Sequence, residues 1–176
     1  IILVEGASKI LSTYPDELSK QAIEDLQTLG VEVRLNSMVT EVNENGVQVS
    51  NDFIETVNVI WAAGNEISPL IKSLGVETDK VGRAKVSDDL SIPGYPEIFV
   101  IGDAALVFAN GKQLPGTAPV AMQQGRYVAN VIKSGKEFNE RKKFHYLDKG
   151  DMATIGRAKA VANIRGLKLT GFFAWM

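Results

Sequence analysis

Ile98-Phe99-Val100-Ile101-Gly102-Asp103 is the stretch from which the architecture is read. Four consecutive apolar residues, three of them β-branched, suit a strand buried on both faces of a parallel sheet. The Gly-Asp that follows lies where doubly wound sheets bind ligands, at the carboxyl edge of the strands. Gly102 brings no Cβ, so the backbone can approach a ligand, and the Asp103 carboxylate can accept hydrogen bonds from hydroxyl groups. Asp is also a common helix N-cap or turn residue after a strand, and the six residues alone leave both roles open.

Upstream, Ile1 to Val4 is a second apolar, β-branched run, ending at Glu5-Gly6. Pro15 opens a helical pattern with Asp16 and Glu17 in its first turn and Leu18, Ala22, Leu26 and Leu29 on one face; Gly30 closes it. Val31, Val33 and Leu35 alternate with polar residues, so strand, helix and strand follow in βαβ order. Val39 to Val42 and Val47 to Val49 flank Asn43-Glu44-Asn45-Gly46 and predict a hairpin. Val57 to Gly64 reads as a further strand with a small-residue end, and Ser68 to Gly75 as a short helix. Glu5 stands where the second strand of a dinucleotide-binding unit places its ribose-binding acid, although a solvated strand-end carboxylate would look the same.

Downstream, Gly116 to Ser134 predicts a helix with Pro119 near its start, Ala121, Gly125, Val128, Ala129 and Ile132 on one face, and Gly135 as its stop. Asn139 to Lys143 is a polar connection, and Asp151 to Ile155 and Ala158 to Ile164 are β-like around Gly156.

Composition narrows the chemistry. Nineteen basic against 21 acidic residues leave a formal charge of −2, which offers no field for nucleic acid. With no cysteine and a single histidine, His145, the 176 residues hold no disulfide, thiolate metal site, Cys nucleophile or His cluster, so no metal is expected. No window reaches the apolar length of a transmembrane helix.

Trp61-Ala62-Ala63-Gly64 ahead of Asp103, and Ala118-Pro119-Val120-Ala121-Met122-Gln123-Gln124-Gly125 behind it, complete an arrangement that resembles the two-dinucleotide-domain flavoprotein reductases. Within them, the second of these segments and Asp148-Lys149-Gly150-Asp151-Met152-Ala153-Thr154-Ile155-Gly156 are similar to type II NADH:quinone oxidoreductases, essentially from Ile1 to Met176. The resemblance implies an α/β fold with parts of two three-layer, Rossmann-like domains, a β-meander and the start of a C-terminal β-hairpin and membrane-surface region. Residues 1–63 would close the NAD-binding domain, 64–138 form a second segment of the FAD-binding domain, and 139–176 begin the C-terminal domain. Glu5 would bind the NADH ribose, Ala62, Ala63 and Gly64 would mark the crossing between domains, and Gly102 and Asp103 would hold FAD. Ala121, Met122 and Gln123 would line the flavin and quinone side, with Lys149 approaching the same region. Gln123 and Lys149 would be the catalytic pair.

Pro119 stands where many members have Gln, and Met122 where many have an aromatic residue or His. Quinone contacts through that Gln are therefore not carried over; Met122 offers an adaptable apolar wall instead. The implied function is electron transfer from NADH through FAD to quinone without proton pumping, on the cytoplasmic face of a bacterial inner membrane, with a homodimer among the allowed assemblies. Leu167 to Met176 resembles the start of the amphipathic membrane-surface segment, or is a buried strand. A reductase with a redox-protein acceptor and a non-redox nucleotide-binding module are the rivals; sulfide oxidation is disfavoured by the lack of cysteine. No two glycines lie two positions apart, so there is no G-x-G-x-x-G turn, and both apolar ends read as cut. The chain alone is expected to be colourless and inactive.

Overall fold

Pro15, a residue suited to a helix start, leads into α1 (Asp16–Thr28), which buries Leu18, Ser19, Ala22 and Asp25. The helix connects β1 (Ile2–Val4) to β2 (Glu32–Arg34), paired parallel with Ile2 opposite Glu32 and Val4 opposite Arg34. This is the expected βαβ unit. Among the described residues its first strand has β2 as its one sheet neighbour, and it is half exposed rather than buried on both faces. A meander follows: β3 (Val39–Asn43), β4 (Gly46–Val49) and β5 (Asp52–Glu55), antiparallel in order. The Asn-Gly hairpin is present with Asn43 opposite Gly46. The third strand had no clear apolar alternation to announce it.

The computed structural model describes residues 1–64 and 66–176. They form two compact units, Ile1–Ala62 with Asp148–Met176, and Ala63–Leu147. Val57 to Gly64, expected as a strand, belongs to no sheet among the described residues. Apolar, β-branched composition favours extended backbone, but a strand also needs a ladder, and composition does not supply one.

The second unit contains α2 (Pro69–Ser73), β6 (Ala84–Lys85), β7 (Ser91–Ile92), β8 (Tyr95–Phe99), β9 (Ala105–Leu106), β10 (Phe108–Ala109), β11 (Lys112–Gln113) and α3 (Ala118–Ser134). Its core joins Ile71, Ala84, Ile92, Val100 and Ala105. Ile98 to Ile101 is not a parallel strand. Its first half ends β8, antiparallel to β7, and the parallel pair of this unit is β6 with β9. Burial and β-branching favour a strand but do not reveal the direction of its partner. Helix α3 buries Val120, Gln124 and Val128, whereas Ala129 and Ile132 are exposed, so the buried stripe is rotated from the expected one.

The chain returns to the first unit in β12 (Asp151–Gly156), β13 (Lys159–Ile164) and β14 (Leu167–Thr170), an antiparallel sheet in that order, and then α4 (Gly171–Trp175). Val161 packs with Leu18 and Ala22 of α1, so these late strands complete the core of the first unit. The overall class is α/β, as the resemblance implies.

Candidate functional site

Beyond β8 the backbone is drawn inward at Val100, whose N–H donates to Leu90 O at 3.2 Å. Ile101 is extended, and Gly102 then turns the chain with φ 67° into a single 3-10 turn, Gly102–Ala104. That left-handed conformation favours glycine, and Ala121 of α3 lies 3.5 Å from where a Cβ would stand. The turn is tied to α3 by the Gly102 N–H, which donates to Gln124 Oε1 at 2.6 Å.

Asp103 follows, exposed, and caps nothing: the turn carries no side-chain cap, and its carboxylate takes no hydrogen bond among the described residues. Gly116 faces it; a Cβ there would stand 3.1 Å from Asp103 Oδ1. The carboxylate therefore occupies room that a larger residue would take. It borders an open depression of about 540 Å³ whose wall includes Ile101, Ala104, Ala118 and Ala121. The first turn of α3 stands at this wall. Its N-cap, Thr117, makes no side-chain bond, so the positive end of a 17-residue helix is not neutralised by its own cap. Behind Asp103, Arg83 lines a narrow crevice with its charge held by Asp79 at 2.5 Å.

Gln123 is turned to a different task. Its Nε2 donates to Leu147 O and its Oε1 accepts from Leu147 N–H, both at 2.9 Å. The side chain pairs with backbone as a neighbouring strand would, and it pins the segment beyond α3. Tyr127, one helical turn on, donates its hydroxyl to Lys142 O and packs edge-on against Phe144. Met122 is largely exposed, and Ala121 is half-buried on the depression wall.

In the first unit, Glu5 stands at the carboxyl end of β1 with its N–H bonded to Arg34 O at 2.9 Å. Its Oε1 accepts from Ala7 N–H at 2.8 Å, and no other bond to the carboxylate is made among the described residues. Lys149 is exposed in a turn where Gly150 N–H donates to Asp148 Oδ1 at 2.8 Å. Ala62 ends one unit and Ala63 begins the other, and Gly64 has φ 76°.

Gly102, Asp103 and Ala121 are thus assembled in one unit, while Glu5 and Lys149 belong to the other. Two residues of the Asp103 site went unread in the sequence. Gly116 carries no local signal beyond its place before a helix. Gln124 had one: at helical spacing it sits between Val120 and Val128, and a polar residue inside an apolar stripe needs an internal partner.

Residues 1–125 match the family model described as pyridine nucleotide-disulphide oxidoreductase. The chain belongs to this family. Among its curated relatives, the type II NADH:quinone oxidoreductase Ndh of Mycobacterium tuberculosis is 42% identical over 188 residues, covering 100% of this chain and 40% of the relative. The type II NADH:quinone oxidoreductase of Staphylococcus saprophyticus is 35% identical over 97% of this chain and 44% of its own length. The similarity to type II enzymes expected from the Ala118 to Gly125 segment is borne out. The chain spans less than half the length of these relatives. Among solved structures, NDH2 from Plasmodium falciparum in complex with NADH superposes with a TM-score of 0.84 at 20% identity, over 99% of this chain and 52% of that one, and so shares this chain's fold.

Proposed function

We propose that this chain is the carboxyl-side part of a flavoprotein that passes electrons from NADH through FAD to a membrane quinone, without proton pumping and without a metal. Residues 1–63 belong to its NAD-binding domain, 64–138 to its FAD-binding domain and 139–176 to the start of its C-terminal domain. It sits peripherally on the cytoplasmic face of a bacterial inner membrane; no helix among the described residues is long and apolar enough to cross one. Curated relatives at 35–42% identity support the reading.

One observation carries it to the residues: the Asp103 carboxylate, without an internal partner among the described residues, stands at a depression lined by Ile101, Ala104, Ala118 and Ala121 together with Glu66 and Ser68, beside an uncapped helix start. This fits FAD. Asp103 accepts from ribityl hydroxyls, the small side chains of Ala118 and Ala121 admit a planar ring, and the first turn of α3 stabilises negative charge on it. When bound, FAD supplies the carrier of two electrons, so that NADH, one proton and quinone become NAD⁺ and quinol. The chain's own residues bind and orient. Glu5 holds the NADH ribose through its free oxygen and repels a 2′-phosphate. Ala62, Ala63 and Gly64 let the chain cross between domains beside the nucleotide. Met122 stands on the acceptor side, where Gln123 acts by fixing Leu147; Lys149, in the first unit, is assigned to quinone by the motif it belongs to. With no G-x-G-x-x-G turn, the 176 residues alone retain no flavin.

The test is spectroscopic. The full-length protein should purify yellow, bleach anaerobically with NADH and recover its colour on adding a soluble quinone. Bleaching without quinone reoxidation would turn the reading to a redox-protein acceptor, and a colourless protein would turn it to a nucleotide-binding module.

A further inference from the structure

Gln124 is 1% exposed, with Val120 and Val128 buried one helical turn away on either side. A buried amide in an apolar stripe is retained where its hydrogen bond does something that packing cannot. Here its Oε1 takes the N–H of Gly102, a backbone group that the left-handed turn presents to α3 and that is 22 residues distant in sequence. Its side chain also lines the crevice behind Asp103, with Gly116 and Arg83.

Resting on the flavin reading above, we propose that Gln124 is the positioning residue of the Asp103 site: it holds the Gly102 turn in its left-handed form, and through the turn it aims the Asp103 carboxylate at the depression. Gln124 does not touch the ligand. Ile101 packs at the same junction, with its Cδ1 3.8 Å from where a Cβ on Gly125 would stand. The two adjacent glutamines thereby divide the work. Gln124 fixes the turn on the inner face, and Gln123 fixes Leu147 on another.

Deflavinated full-length protein carrying Gln124→Met, of similar shape but without the amide oxygen, is titrated with FAD, alone and with Asp103→Ala. The single variant should bind FAD about tenfold or more weakly, the loss expected for a half-buried N–H left unpaired. In the Asp103→Ala background the same change should alter affinity less than about twofold, because the carboxylate it aims is gone. Equal losses in both backgrounds, or unchanged affinity in the single variant, would overturn the proposal. Should Gln124→Met fail to fold, Gln124→Glu keeps an acceptor oxygen at that reach and should hold FAD within about threefold of the parent; a loss as large as that of Asp103→Ala would count against it. A parent protein that binds no FAD would overturn the flavin reading instead.

Discussion

Glu5 and Asp103 both follow an apolar extended segment, one in each unit, yet they are held in different ways. The Glu5 carboxylate is oriented by its own chain: one oxygen accepts from Ala7 N–H two residues on, and the parallel ladder of β1 and β2 sets the backbone. The Asp103 carboxylate makes no bond among the described residues, and its aim depends on groups far along the chain. Gln124 holds the turn, Gly116 leaves the room, and Leu90 anchors Val100 three residues earlier. A locally oriented carboxylate should withstand damage to the distant scaffold. A carboxylate oriented from afar should not.

The most severe way to break this comparison is to remove the scaffold beneath Asp103. Arg141 reaches Asp89 at 3.0 Å, with side-chain exposures of 12% and 7%, and also bonds Pro96 O and stacks on Phe99. Asp89 receives both the N–H and the hydroxyl of Ser91, and so fixes the turn whose Leu90 carbonyl takes Val100 N–H. Arg141→Met should destabilise this unit by on the order of 3 kcal/mol, because it leaves a buried charge unpaired. Urea unfolding would measure the loss. Hydrogen exchange should quicken from Leu90 to Asp103 while β1, α1 and β2 keep their protection; equal loosening of both would end the distinction.

Acid sharpens the same test. Burial opposes ionisation of Asp89, but the bonds from Ser91 and Arg141 more than offset it and hold the carboxyl below the usual carboxylate range. A carboxyl lowered in the folded state stabilises above its unfolded value, about 4, and that contribution is lost as pH falls through the folded value. The gap between parent and Arg141→Met should therefore narrow as pH drops below about 4.

A smaller effect is expected on the other carboxylate. Glu5→Gln should raise KM for NADH and lower the preference over NADPH by roughly tenfold, the worth of one charge-assisted bond, while FAD affinity stays unchanged. Steady-state kinetics with both nucleotides would show it. An unaltered NADPH ratio would return Glu5 to the role of a solvated strand end.

The smallest concerns Gln123. Gln123→Ala removes two neutral hydrogen bonds to Leu147 and should speed exchange in Phe144 to Leu147 severalfold, about 1 kcal/mol of local opening. Stopped-flow reduction by NADH should be unaffected. Slower reoxidation by quinone with exchange unchanged would restore Gln123 to direct contact with the acceptor.

Local chemistry along the chain accounts for part of the fold. Periodicity and capping placed α1 and α3, with Gly135 ending the latter in a left-handed cap. The Asn-Gly turn set the β3 and β4 register, and the strand, helix, strand order set the parallel pair that leads to Glu5. The remainder depends on packing between distant segments. Ile98 and Phe99 close an antiparallel strand rather than joining a parallel sheet, and Val57 to Gly64 joins no sheet among the described residues, because an apolar run specifies extended backbone and not its partner. Gln123 and Gln124 are alike as residues; their positions about the axis of α3 sent one to the backbone of Leu147 and the other to Gly102. The aim of Asp103 is set across 22 residues by that second bond, a contact that no local pattern encodes because it forms only when the helix and the turn pack together.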